Sequence, residues 1–176
     1  MLQPRHTETK PAGICYTAAM PPAPLLLAIG PVTIAFVWSG DRWSHRVTVG
    51  AETWHSVEGP RDGGCERWPA SPVLVELSRL DTPGGPAILG VGRAGRSHFS
   101  ASIGPDPAAA DRVRFEIACR FHEPPLWLGS TYRGPEEGEV VVAAAAPLPP
   151  ATVQWAYSFG AAGLAACDRL GNRSDS

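Results

Sequence analysis

His45, His55, His98 and His122 are the side chains best suited to hold a metal or move a proton near neutral pH. No two of them have the spacing that sets a pair on one local face of a helix or strand. Cys15, Cys65, Cys119 and Cys167 are equally scattered, with no C-x-x-C pair and no histidine at zinc-site distance from a second cysteine. Cys119 and His122 stand three apart, which on a strand places them on opposite faces, so a thiol–imidazole pair is not expected there. Gly90, Gly92 and Gly95 copy the G-x-G-x-x-G of dinucleotide sites. That motif needs a helix to follow, whereas residues 97–103 alternate like a strand and Pro105 and Pro107 come next. A tight hairpin explains these glycines better. Ser130, in the run Leu128-Gly129-Ser130-Thr131-Tyr132, lacks the strand-to-helix elbow of an exposed nucleophile. Neither a metal nor a cofactor is expected.

The side chains that remain are cations and aromatics. Arg93, Arg96, His98, Arg112, Arg114, Arg120, His122 and Arg133 crowd between positions 93 and 133, at strand edges or on polar strand faces. From that stretch Arg96, His98 and Arg120, together with Tyr132, form the best candidate for a ligand-binding set, since guanidinium forks recognise carboxylate and phosphate groups. The competing reading is a solvated sheet face whose cross-strand ion pairs contribute little. Six tryptophans form the second surplus. Trp38, Trp43 and Trp155 fall in phase with apolar neighbours, whereas Trp54, Trp68 and Trp127 lie in loops or out of phase. These three are candidates for an exposed platform, because tryptophan is enriched at binding hot spots and its ring can stack on a sugar. Filling the core is the competing role.

The elements that must position these residues are strands. Val32, Ile34, Phe36 and Trp38 share one face, and Trp43, His45, Val47 and Val49 resume the two-residue period after Ser39-Gly40-Asp41-Arg42, which has turn chemistry. Further runs cover residues 73–80, 87–91, 97–103, 112–122, 127–132, 139–144 and 152–159, each bounded by Gly, Pro or Asp. In the clearest, Val113, Phe115, Ile117, Cys119 and Phe121 alternate with Arg112, Arg114, Glu116, Ala118, Arg120 and His122, the pattern of a strand with one wet face. About nine strands predict a single all-β domain over residues 24–159, an antiparallel β-sandwich, with a closed β-barrel as the alternative. Residues 1–23 and 160–176 show no packing pattern and are expected to be disordered tails, with a short helix over 161–170 as an alternative for the second. Met20 offers an alternative start.

Length and composition bound the rest. At 176 residues one core is expected, and 44% hydrophobic against 18% charged residues is too apolar for a wholly disordered chain. A net charge of -2 provides no field to draw in nucleic acid or acidic lipid. No run approaches the ~20 apolar residues of a membrane helix. The proline-interrupted start makes a poor signal peptide, and a chain this apolar does not depend on disulfides, so a cytoplasmic location is expected. The function expected is that of a non-enzymatic binding module for a protein, small-molecule or carbohydrate partner. The alternative is a small hydrolase or other enzyme whose site is built from His98, Arg96, Arg120 and Tyr132.

Overall fold

The computed structural model describes residues 20–61, 65–136 and 138–166. Residues 1–19 and 167–176, most of the two expected tails, lie outside them. The period-two runs become strands of two antiparallel six-stranded sheets, which do not close into a barrel. The first sheet has the order β1 (Leu25–Ile29), β2 (Val32–Ser39), β3 (Arg42–Val49), β4 (Glu52–Ser56), β9 (Gly129–Arg133), β10 (Glu139–Ala143). The second has the order β12 (Gly163–Ala166), β11 (Ala151–Gly160), β8 (Ala109–Phe121), β7 (Ser97–Asp106), β6 (Gly85–Ala94), β5 (Glu76–Thr82). The sandwich expectation therefore holds, with twelve strands among the described residues rather than nine. The three that periodicity missed are β1, β4 and β12. Leu-Leu-Leu-Ala-Ile does not alternate, β4 carries only Trp54 as a large apolar residue, and β12 is made of small ones. Pairing with a neighbour, not intrinsic pattern, specifies such short strands. The helix considered over 161–170 is corrected for its first part: residues 163–166 pair with β11 across the two-residue turn Ala161-Ala162.

The inner faces meet as the alternation requires. Val32, Ile34, Phe36, Trp43 and Val47 from the first sheet pack against Val113, Phe115, Ile117, Phe121 and Phe159 from the second, all buried. Between β4 and β5 the chain crosses from one sheet to the other, and residues 68–75 of this connection form a strap between the sheets, buried as far as Leu74. Trp68, Ala70, Ser71, Val73 and Leu74 are each no more than 4% exposed. The strap satisfies backbone groups that the ladders leave open. β3 and β4 part beyond the Arg46–His55 pair, and there Trp43 N–H donates to Leu74 O at 2.8 Å. Ser71 Oγ donates to Thr131 O at 3.0 Å, Thr131 Oγ1 donates to Ala70 O at 2.9 Å, and Val75 N–H donates to Val91 O at 2.8 Å.

Gly90 and Gly92 exist for this strap. A Cβ on Gly92 would stand 2.2 Å from Val73 O, and one on Gly90 would press on the Leu74 and Leu77 methyls at 3.0–3.2 Å. Gly95 (φ +56°) makes the two-residue turn from β6 to β7. The G-x-G-x-x-G is thus two close approaches and a turn. Gly92→Ala should push the strap off β6 and lower stability by about 2 kcal/mol, from overpacking and weakened strap hydrogen bonds. Gly84→Ala, whose Cβ meets only Thr82 Oγ1 at 3.8 Å, should cost less than about 0.5 kcal/mol. Urea unfolding compares the two; equal midpoints would deny the strap its role.

Candidate functional site

The expected binding residues occupy three separate environments. Trp54 (6% exposed) and Trp68 (3%) are core residues, with Trp54 against Phe159 at 5.5 Å between ring centres and Trp68 against Phe121 at 6.5 Å. Neither is exposed for a platform, because β4 turns its one large side chain inward and the strap carries Trp68 between the sheets. Trp127 is half-buried: its indole N–H donates to Ala70 O at 3.1 Å and the Arg61 guanidinium lies 4.3 Å over its ring. Tyr132 is fully buried on the inner face of β9. Arg96, His98 and Arg120 are exposed at the second sheet, where His98 and Arg120 are direct cross-strand neighbours on the outer face. Tyr132 therefore does not line one pocket with them.

What brings Tyr132 inside is a buried polar chain that no sequence spacing announced. Tyr132 OH lies 2.7 Å from His45 Nε2 and 2.8 Å from Tyr157 OH. Trp155 Nε1 donates to Ser130 Oγ at 3.0 Å, and the Ser130 hydroxyl, beside Tyr157, opposes the effect of burial on that phenol. An indole N–H can only donate, so Ser130 Oγ accepts from Trp155, while a phenol can donate or accept along the links from Tyr157 through Tyr132 to His45. The imidazole lies between Phe36 and Phe115, with ring centres at 5.4 and 5.5 Å. Burial there pushes its pKa down to about 4, and burial likewise raises Tyr157 to about 12 and Tyr132 well above the usual phenol value. Beside the chain, Ser56 Oγ accepts from His45 N–H at 2.9 Å and donates to Glu58 Oε1 at 2.7 Å. Burial raises the Glu58 carboxyl to about 7, opposed by the Ser56 hydrogen bond and the charge of Arg42. The only signal for this chain was that His45 and Tyr157 keep phase with apolar neighbours. The chain ties β3, β9 and β11 together across the two sheets and so orders the core. The concavity beside it, about 170 Å³ where β3 and β4 part, is lined by Ser44, His45, Arg46, His55 and Ser56 among others.

The outer face of the second sheet is a different surface. Strand register sets its outward side chains in rows across β6, β7, β8 and β11: Arg93–His98–Arg120–Thr152, then Val91–Ser100–Ala118–Gln154, then Leu89–Ser102–Glu116–Ala156. Along β7 the floor is made of Ser100, Ser102 and Gly104, while Leu89 (42% exposed) and Val91 (49%) rise on one side and Glu116 and Gln154 on the other. The result is a trough with a concavity of about 330 Å³ at its centre. A second, of about 430 Å³, lies at the His98 end beside Val75, Glu76 and Arg93, and a third, of about 220 Å³, at the Gly104 end beside Arg114 and Pro105. Cys119 lies beneath this sheet as a buried thiol, pushed up to about 12 by burial. Among the described residues no three His, Cys, Asp or Glu side chains group as metal ligands, and no helix is long and apolar enough to cross a membrane. Comparison with family models, curated proteins and solved structures finds no match.

Proposed function

We propose that the protein is a binding module that holds an extended partner in the trough across the outer face of its second sheet. The observation that carries this reading is the trough itself. A solvent-facing sheet ordinarily presents long polar side chains, yet here β7 offers Ser100, Ser102 and Gly104 beside exposed Leu89 and Val91. Val75 and Leu80, 39% and 43% exposed, add apolar surface at the same edge. Contiguous exposed apolar surface rimmed by polar groups marks an interaction site. A flat sugar-stacking platform has no support, because Trp54 and Trp68 are spent on the core.

Ser102→Tyr fills the trough from its floor without touching the core. Peptides selected from a random phage-displayed library against the wild-type protein should bind this variant at least about tenfold more weakly, the loss expected when a central contact is blocked. Selected peptides that bind wild type and Ser102→Tyr equally, or a library that yields none, would overturn the reading.

A further inference from the structure

We infer that the row Arg93–His98–Arg120 is an anion-binding subsite and that the partner of the trough is an acidic, extended polypeptide segment. The inference rests on the binding reading above and specifies its chemistry. Arg93 pairs with His98, and His98 pairs with Arg120, so two guanidinium side chains flank one imidazole across three adjacent strands. Their Cα positions are separated by two strand spacings, about 10 Å. Long side chains from that distance can converge on one anion above His98, and guanidinium forks favour carboxylate or phosphate oxygens.

Opposite-charge pairs are the stabilising arrangement across strands, and like charges placed opposite are destabilising. Among the described residues one ion pair obeys that rule across strands, Arg133 on β9 facing Glu139 on β10 at 3.8 Å; Arg114 bonds Glu116 at 2.9 Å along β8, and Arg67 bonds Glu123 at 3.1 Å outside the strands. Arg93 and Arg120 have no such carboxylate among the described residues. The one acidic side chain that joins Arg93 and His98 around the 430 Å³ concavity is Glu76, placed beyond Val91 in the neighbouring row. Two guanidinium groups in one row with no carboxylate bonded to them are complementary to an external anion.

The trough decides what carries that anion. From His98 to Gly104 it follows β7 for six residues, on the order of 20 Å, which far exceeds a free phosphate or carboxylate. Its lining alternates in kind: Ser100 and Ser102 hydroxyls and the Gln154 amide can take main-chain N–H and C=O groups, while Leu89 and Val91 give purchase to an apolar side chain. A peptide supplies both; a bare hydrocarbon chain would leave the hydroxyls unpaired.

The test uses two fluorescein-labelled hexapeptides, Leu-Ser-Leu-Ser-Glu-Glu and its Gln-Gln counterpart, with affinity read by anisotropy. The wild-type protein should prefer the acidic peptide by at least about tenfold, and raising NaCl from about 50 to about 300 mM should erode that preference as charge is screened. Arg93→Gln/Arg120→Gln should remove the preference while its thermal midpoint stays unchanged. Ser102→Tyr should weaken both peptides. If the double arginine variant keeps the preference while Ser102→Tyr abolishes binding, the anion subsite is wrong and the trough stands. If Ser102→Tyr leaves both affinities unchanged, the trough reading itself fails. Inorganic phosphate displacing the acidic peptide at equal concentration, or vesicles rich in phosphatidylserine binding where neither peptide does, would overturn the peptide assignment.

Discussion

Phe115→Ala is expected to lower the unfolding free energy by about 3 to 5 kcal/mol, the cost of deleting a fully buried phenyl ring and leaving a cavity. Phe115 is 1% exposed at the middle of β8. Its ring is parallel to Tyr157 at 4.9 Å, stacks on His45 at 5.5 Å and meets Phe159 edge-on at 5.8 Å. The cavity would open beside polar groups and so admit water, which should move the His45 pKa up from about 4 toward its ordinary 6.5 as the burial that lowers it is relieved. Phe115→Leu keeps most of the volume and should cost about 1 to 2 kcal/mol. Urea unfolding gives the energies, and NMR titration of the imidazole gives the pKa. A loss below about 1 kcal/mol for the alanine variant would mean that the inner and outer faces of β8 are exchanged.

The second large effect is hidden in the native protein. His45 is held at about 4 against an ordinary 6.5, so as pH falls from 6.5 to 4 the unfolded chain takes a proton that the folded chain refuses, and stability drops. Glu58 is held at about 7 against an ordinary 4.5, so as pH rises from 4.5 to 7 the unfolded chain releases a proton that the folded chain keeps, and stability drops in the opposite direction. Each effect amounts to about 3 kcal/mol when complete, at ~1.4 kcal/mol per pKa unit. Between pH 4.5 and 6.5 they oppose each other and nearly cancel. Removing one exposes the other. Relative to wild type, His45→Gln should lose stability as pH rises through that window, and Glu58→Gln should lose it as pH falls. Urea unfolding across a pH series reads both slopes, and two variants with flat differences would refute the burial of these groups.

How much of this was legible in the sequence depended on which interactions were local. The β8 alternation fixed its own faces, so Phe115 and Ile117 could be assigned to the core from spacing alone, and they are 1% and 3% exposed. The turns were equally local: Gly40 and Gly95 adopt φ values of +76° and +56° in the hairpins where they were expected. The strap was not legible, because residues 73–75 continue the apolar run of β5 and only their partners on β3 and β6 distinguish them from a strand. For the same reason Trp68 read as a loop residue, its burial being set by a sheet far away in sequence. The polar chain is the extreme case: His45, Tyr132 and Tyr157 meet from three strands and two sheets. At the trough, Arg114, Arg120 and Glu116 could be set on one face from β8 alone. That Arg93 and His98 stand in line with Arg120 required the register of β6 and β7.

The strap also bears on the order of assembly. β5 to β8 and β1 to β4 are successive hairpins that can zip from local turns, with short loops to close. The strap finds its partners at Trp43, Val91 and Thr131, on three strands drawn from both sheets, so it can seat only after these strands are in place. Interactions made after the rate-limiting step scarcely alter how fast a chain folds but govern how fast it comes apart. The damage from Gly92→Ala therefore belongs in the unfolding limb of the chevron, and the lifetime of the native state rests on a segment without regular secondary structure.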